Sequence, residues 1–263
     1  MTQPIEHDPT ATEHDFLPRD GDPVTDVDLS ELSPVTGGSS KLNGYLAVPS
    51  GDGPWPGVVL IHELFGLDAN MRRSADRLAD AGYLTLAVNL FTAGGKLRCL
   101  ISSFRALSKG QGQVFADIET ARQWLLRSPQ CTKKIGVIGF CIGGGFALLT
   151  ANTGFDVVAD NYGHVNKNLE ASLEGACPVV ANYGARDRTL PGAAAKVELA
   201  LTKAAIPHDV KNFPTAGHAF LNETESGPRP LRPVFRVLGI KPVPEAAPEA
   251  WARIEEYFAR YLR

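Results

Sequence analysis

The chain has 263 residues, which is long enough for one large α/β domain with a substantial hydrophobic core. Its 26 basic and 29 acidic residues leave a net charge of −3, which gives no electrostatic basis for nucleic-acid binding. No apolar run approaches the roughly 18 residues that a membrane span needs, so we expect no membrane partner either.

The N-terminal residues and the cysteines both favour a cytoplasmic protein. Residues 1–34 are polar and acidic and lack the basic and apolar regions of a signal peptide. The four cysteines show neither C-x-x-C spacing nor the pattern of a disulfide scaffold; they are Cys99, Cys131, Cys141 and Cys177. We therefore expect reduced thiols in the cytoplasm.

Residues 1–40 are predicted to form an extended or partly disordered arm ahead of a single domain at residues 41–263. Six Asp and five Pro residues lie within the first 36 positions, among few apolar side chains, and an edge strand in this arm is left open. His7 and His14 lie among carboxylates, but their spacing does not fit a metal pair on a helix. We expect no metal and no other cofactor.

Strands and helices alternate along the domain, which predicts an α/β fold with a mostly parallel sheet and helices on both faces. Strands are predicted at residues 44–49, 57–63, 84–90, 135–140, 157–163, 178–185 and 208–214. Helices are predicted at residues 70–81, 114–127, 142–152, 192–205 and 249–262. Residues 91–113 and the proline-rich residues 223–248 are predicted as loops that shape a pocket. A cap, a subunit contact or a peripheral excursion are all open for the second loop.

The segment I-G-V-I-G-F-C-I-G-G-G-F-A at residues 135–147 has the pattern of a nucleophile elbow, with Cys141 at the nucleophile position. Gly139 and Gly143 lack side chains, so the strand and the following helix can approach closely and leave the sulfur exposed. The N-terminus of that helix favours the nucleophilic thiolate. A buried structural cysteine is the alternative for this segment taken alone.

An acid and a histidine follow Cys141 in the order that a hydrolase of this architecture needs. Asp187 comes just after the strand predicted at residues 178–185 and lies 46 residues beyond Cys141. His218 follows the strand predicted at residues 208–214 and lies 31 residues beyond Asp187. Each signal is weak by itself, but three such residues in this order, each just past a strand, predict a catalytic triad.

Four segments of the chain resemble the dienelactone hydrolase family of α/β-hydrolases. They are V-V-L-I-H-E-L-F-G-L at residues 58–67, G-F-C-I-G-G at 139–144, Y-G-A-R-D at 183–187 and G-H-A-F at 217–220. The resemblance covers roughly residues 42–220 and implies an α/β-hydrolase that cleaves small esters or lactones. It implies that Cys141 is the nucleophile, Asp187 the orienting acid and His218 the general base.

The same resemblance implies three further roles close to the nucleophile. Glu63 matches a glutamate that in the family faces the nucleophile and influences its protonation. Leu64 and Ile142 match residues whose backbone amides form the oxyanion hole. A thioester on Cys141, hydrolysed by water, is the expected intermediate.

The chain departs from the family pattern where a substrate carboxylate would bind. The resemblance implies that members acting on such a substrate hold its carboxylate with two arginines. This chain has Asn222 at one of these positions and Thr92-Ala93 at the other. We therefore expect neutral esters or lactones to be preferred. Further candidates for substrate contact are Tyr162, Asn222, Arg98 and Arg105, with packing as the alternative for Tyr162.

Other functions for the same residues are left open by the sequence. An acyltransferase or thioesterase would use the same triad, and a binding or redox-sensing protein would have Cys141 oxidised rather than acylated. Asp187 and His218 argue against a sensor, because a sensor needs only a reactive thiol. The oligomeric state, monomer or homodimer, is also open.

Overall fold

The computed structural model describes residues 24–30, 35–92, 96–167 and 169–263. Of the predicted arm, residues 1–23 and 31–34 lie outside the described residues, and with them His7 and His14. The described part of the arm contains a strand, β1, at Val24–Asp28, which lies at the edge of the sheet. The edge strand that the sequence left open is therefore present.

The other strands in the described residues follow the predicted order and are mostly shorter than predicted. They are β2 (Asn43–Ala47), β3 (Trp55–Ile61), β4 (Leu84–Val88), β5 (Cys131–Phe140), β6 (Val157–Asn161), β7 (Val179–Gly184) and β8 (His208–Phe213). One sheet contains them in the spatial order β1-β2-β4-β3-β5-β6-β7-β8. Pairing is antiparallel for β1 with β2 and β2 with β4 and parallel for the rest, which confirms the predicted α/β class.

Helices connect the strands and include all five that the sequence predicts. The described helices are α1 (Ala69–Asp80), α2 (Lys96–Lys109), α3 (Gln113–Arg127), α4 (Ile142–Leu149), α5 (Leu169–Ser172), α6 (Ala193–Lys203), α7 (Arg232–Val237) and α8 (Ala247–Leu262). A single 3-10 turn at Arg229–Leu231 precedes α7.

The prediction of loops at residues 91–113 and 223–248 is wrong where α2 and α7 lie. The buried face of α2 includes Cys99, Ser103 and Leu107 at helical spacing, and its small or polar members weaken the apolar pattern. α7 contains Pro233 in its first turn. Proline is tolerated there because a backbone N–H in the first turn would have no partner inside the helix. The prolines of residues 223–248 therefore led to the wrong prediction of a loop where α7 forms.

Both faces of the sheet are covered by hydrophobic clusters. In β3, Val58 and Leu60 join the cluster that contains side chains of α1 and α8, whereas Val59 and Ile61 join the cluster of α3, α4 and α6. A parallel sheet buried on both faces is open to solvent only at its edges and strand ends. The loops at the carboxyl ends of the strands are therefore the places where polar side chains can gather.

His62 fastens the carboxyl end of β3 to the end of β4. Its Nε2 atom accepts a hydrogen bond from the backbone amide of Leu90 at 3.1 Å, and its Nδ1 atom donates to the carbonyl of Glu63 at 2.6 Å. A neutral imidazole supplies one acceptor and one donor, so these bonds define a neutral tautomer. Burial lowers the pKa of His62 to about 4, against weaker opposition from its backbone hydrogen bonds.

We expect His62 to make the free energy of unfolding fall as the pH drops from about 6.5 to about 4. The unfolded chain takes up a proton in this window and the folded chain does not, so the contribution is complete above pH 6.5 and is lost progressively below it. The loss approaches roughly 3 kcal/mol at the acid end. Urea unfolding at a series of pH values should give a shallower pH dependence for His62→Gln, which keeps an acceptor for Leu90. A His62 imidazole that titrates near its ordinary pKa in wild-type NMR spectra would contradict this.

Candidate active site

Cys141 lies in the sharp turn between β5 and α4, with φ of 56° and ψ of −119°. A positive φ is unusual for a residue with a Cβ atom and marks a strained backbone. A Cβ atom on Gly139 would lie 2.0 Å from the carbonyl oxygen of Gly143, and one on Gly143 would lie 2.3 Å from that of Ile61. Both glycines are therefore needed for the close approach, as the sequence predicts, and the thiol stays partly exposed.

Asp187 and His218 are brought together by the loops after β7 and β8. His218 donates from Nδ1 to one carboxylate oxygen of Asp187 at 2.6 Å. Thr189 donates its amide and its hydroxyl to the other oxygen, at 2.8 and 2.6 Å. Both oxygens of the buried carboxylate are thus occupied, which orients the imidazole through its Nδ1 atom.

Electrostatic interactions in this group favour the positively charged form of the His218 imidazole. Burial alone would lower the pKa of His218, but the charge of Cys141, hydrogen bonds with Asp187 and Cys141 and the charge of Asp187 raise that pKa well above its usual value. Burial would likewise raise the pKa of Asp187, yet its bonds with His218 and Thr189 and the histidine's charge hold that pKa below its usual value. Asp187 and His218 therefore stabilise each other's charged forms.

Glu63 follows β3 and has a buried carboxylate that receives hydrogen bonds from three side chains. Tyr162 donates its hydroxyl to Oε1 at 3.2 Å, and Asn222 donates its amide to Oε2 at 3.0 Å. The hydroxyl of Ser226 lies 3.4 Å from the same Oε2 atom. Burial raises the pKa of Glu63 and the charge of Asp68 adds to the rise, whereas the hydrogen bonds from Asn222 and Tyr162 and the charge of His218 oppose it.

The two predicted oxyanion-hole amides both belong to turns at the carboxyl edge of the sheet. Ile142 is the first residue of α4, so its amide has no partner inside that helix. Leu64 lies in the turn that the Gly66 amide closes on the carbonyl of Glu63 at 3.1 Å. The role of these two amides in an oxyanion hole stays a prediction.

Four residues predicted to contact substrate have different surroundings in the structure. Tyr162 is completely buried, and its ring centroid lies 5.1 Å from that of His218, which is consistent with the packing alternative. Asn222 is also buried, and its amide hydrogen bonds go to Glu63 and Ser226. Arg98 and Arg105 are exposed on α2. Of the pair Thr92-Ala93, the second residue lies outside the described residues.

A cavity of about 660 Å³ adjoins the site at Leu64 and Phe65. Its wall includes Ser226 and Arg232, which the sequence did not single out, but neither Arg98 nor Arg105. Sequence reasoning also missed Thr189, although a hydroxyl residue two positions after an aspartate is a recognisable turn signal. Ser226 gives no comparable signal, because only the fold brings it to Glu63.

Neither a membrane-spanning helix nor a metal site is found within the described ranges. No helix there is both long enough and apolar enough to cross a membrane. Among the same residues, no group of three or more His, Cys, Asp and Glu side chains is placed to hold a metal ion.

The sequence resembles proteins of one family along most of its length. The model of the dienelactone hydrolase family matches residues 42–262. A protein of Methylorubrum extorquens, provisionally named carboxymethylenebutenolidase, is 27% identical over 82% of this chain and 76% of its own. A protein of Escherichia coli K12 with the same provisional name is 26% identical over 90% of this chain and 89% of its own.

Solved structures resemble the fold over nearly the whole chain. A provisionally named dienelactone hydrolase of Klebsiella pneumoniae superposes with a TM-score of 0.70, at 23% identity, covering 90% of this chain and 99% of its own. A dienelactone hydrolase-like promiscuous phosphotriesterase from metagenomic libraries superposes with a TM-score of 0.74, at 21% identity, covering 92% of this chain and 100% of its own.

The site geometry and these matches converge. Glu63, Cys141, Asp187 and His218 follow the carboxyl ends of β3, β5, β7 and β8, and the family match spans all four residues. This chain is an α/β-hydrolase enzyme that belongs to the dienelactone hydrolase family.

Proposed function

We propose that this protein hydrolyses small carboxylic esters or lactones through Cys141, His218 and Asp187. The observation that carries the proposal is a partly exposed cysteine on a strained turn, beside a buried histidine that bonds to a buried carboxylate. Membership of the family supports hydrolase chemistry. The provisional name of the relatives contains a butenolide, which is a lactone.

In the first half of the reaction, His218 takes the proton of the Cys141 thiol and the thiolate attacks the carbonyl carbon of the substrate. The carbonyl electron pair moves to oxygen, where the amides of Leu64 and Ile142 each stabilise the charge by roughly 3 kcal/mol. Collapse of this intermediate breaks the carbon–oxygen bond, and His218 protonates the departing alkoxide. A thioester on Cys141 remains.

In the second half, His218 accepts a proton from water as the water oxygen attacks the thioester carbonyl. The same amides stabilise the second oxyanion, and the carbon–sulfur bond then breaks to release a carboxylic acid and restore Cys141. Asp187 keeps the imidazole in the required tautomer and stabilises its charged form through the Nδ1 hydrogen bond.

Glu63 restrains the nucleophile in this proposal. Its carboxylate is buried near His218 and bonded to Tyr162, whose ring packs against that histidine. A negative charge in this position disfavours a thiolate on Cys141 and competes with it for the imidazolium. The reactivity of Cys141 is therefore low until substrate displaces the Glu63 carboxylate or a proton neutralises it.

Cys141→Ala should abolish turnover, with a loss of at least about a thousandfold in kcat/KM. The free energy of unfolding should change by no more than about 1 kcal/mol, because the side chain lies at a turn and leaves little cavity. Hydrolysis of p-nitrophenyl acetate measures the first effect and urea unfolding the second. Cys177→Ala is the matched control, since that thiol is half-buried elsewhere in the fold, and it should stay within about twofold of wild type.

Mass spectrometry of the acid-quenched reaction should find an acetyl group on the peptide that contains Cys141. Residual activity of Cys141→Ala within tenfold of wild type, or acetylation of another residue during turnover, would remove Cys141 from the mechanism. An oxidised rather than acylated Cys141 after incubation with both ester and peroxide would favour the redox-sensing alternative.

Glu63→Gln should make Cys141 react faster with iodoacetamide near neutral pH, because the substitution removes a negative charge while keeping a polar side chain of similar size. The rate constant of alkylation is measured from about pH 6 to about pH 9, with Cys141→Ala as the control for reaction at other thiols. Equal rates in wild type and Glu63→Gln throughout this range would refute the restraint.

Neutral substrates should be preferred over carboxylated ones of equal size. The amide hydrogens of Asn222 are engaged by Glu63 and Ser226, so they cannot replace the guanidinium of an arginine. The matched pair is methyl succinamate and monomethyl succinate, and the first should have the higher kcat/KM by about tenfold or more. A preference for the carboxylated ester would overturn this expectation. Arg232→Gln would then test whether the arginine in the cavity wall binds the carboxylate.

A further inference from the structure

The side chain of Asn70, in the first turn of α1, is buried and holds the segment that follows Asn222. Its Nδ2 atom donates to the carbonyl of Thr224 at 2.9 Å and to the hydroxyl of Ser226 at 3.1 Å. Its Oδ1 atom accepts from the amide of Thr224 at 3.2 Å, from the hydroxyl of Thr224 at 3.0 Å and from Nη2 of Arg73 at 2.6 Å. One side chain thus makes four hydrogen bonds to a segment more than 150 residues away in sequence.

The backbone of Thr224 determines which way the Asn70 amide faces. A backbone carbonyl can only accept and a backbone N–H can only donate, so the atom that faces the carbonyl is the amide nitrogen and the atom that faces the N–H is the oxygen. The nitrogen is therefore the atom that points to Ser226. This assignment follows from the two backbone contacts alone.

The hydroxyl of Ser226 consequently has a defined direction. It accepts from Asn70 Nδ2 at 3.1 Å and from Asn222 Nδ2 at 2.9 Å, which occupies the two lone pairs of its oxygen. Its own hydrogen then remains for the Glu63 carboxylate, whose Oε2 atom lies 3.4 Å away. The chain of donors therefore runs from Asn70 through Ser226 to Glu63.

We propose that Asn70 is a positioning residue that acts through Ser226 on the carboxylate of Glu63. Asn70 touches neither Cys141 nor His218 in the contacts described, but it holds Ser226 where its hydroxyl must donate to the carboxylate. Hydrogen bonds to a carboxylate favour its charged form. Asn70 therefore favours the charged form of Glu63 and so opposes the effect of burial.

Its importance for reactivity rests on the proposed function, in which the charge of Glu63 restrains Cys141. Besides Ser226, the groups that face Glu63 are Tyr162 and Asn222 as donors, His218 as a positive charge and Asp68 as a negative one. Asp68 is itself held by the amides of Asn70 and Met71 at the start of α1. Loss of the Asn70 side chain leaves these four groups in place, so its effect can be separated from theirs.

The test follows the titration of Glu63 by NMR of protein with carboxyl-labelled glutamate, the signal being assigned with Glu63→Gln. Asn70→Ala and Ser226→Ala should each raise the midpoint by about one pH unit, because each removes one hydrogen bond that acts on the carboxylate. The double variant should shift no further than either single variant. Thr224→Val is the matched control: it removes a hydroxyl bonded to Asn70 Oδ1 and leaves the bond to Ser226, so the midpoint should stay at the wild-type value.

A wild-type midpoint in Asn70→Ala, or additive shifts in the double variant, would overturn the inference. If Asn70→Ala fails to fold, Asn70→Asp replaces it, because it keeps the oxygen that accepts from Thr224 and from Arg73, and an acid suits the first turn of a helix. The negative charge of the new aspartate acts on Glu63 whether or not the Ser226 hydroxyl is present. The loss of the Asn70 Nδ2 donor, in contrast, affects Glu63 only when that hydroxyl is present. A shift in Asn70→Asp that is equally large in a Ser226→Ala background would therefore also overturn the inference.

Alkylation of Cys141 separates this inference from the proposed function. If Asn70 positions Ser226 and Glu63 restrains Cys141, Asn70→Ala accelerates alkylation of Cys141 near neutral pH in an otherwise wild-type protein. The same substitution has no effect in a Glu63→Gln background. An alkylation rate that Glu63→Gln does not change refutes the restraint by Glu63. The titration of Glu63 decides the role of Asn70 in either case.

Discussion

The close packing of α4 against the end of β5 is the constraint on which the site depends. Cys141 has a positive φ because the chain must turn from strand to helix within one residue, and Gly139 and Gly143 make room for that turn. The strain is tolerated because the surrounding strands are buried on both faces. A rigid sheet thereby presents the thiol at its edge, beside loops from other strands.

Two buried carboxylates near His218, those of Asp187 and Glu63, have opposite effects in the proposed mechanism. Asp187 bonds directly to the imidazole and is held by Thr189, so it stabilises the positive charge that acyl transfer needs. Among the described residues, Glu63 is held by the neutral donors Asn222, Tyr162 and Ser226 rather than by a guanidinium group. In the proposed function the first carboxylate supports reactivity and the second limits it.

Hydrophobic periodicity and chain order predicted the sheet, the five helices with apolar faces and the order of Cys141, Asp187 and His218. These features are local: each needs only a strand pattern and a polar residue just beyond it. Prediction failed at α2, whose buried face includes Cys99 and Ser103, and at α7, where proline suggested a loop. In both cases tertiary burial stabilises a helix that its own sequence pattern describes poorly.

The sequence by itself determined the fold class, the elbow and the candidate triad, because parallel strands bring their carboxyl ends to one edge whatever the details of packing. Only the tertiary structure decided that Tyr162 is buried against His218 and that Asn70, Asn222 and Ser226 meet around Glu63. These contacts join α1 to a segment more than 150 residues away, and no local pattern records them. The direction of each hydrogen bond depends on its neighbours, so it emerges only when all of them are in place.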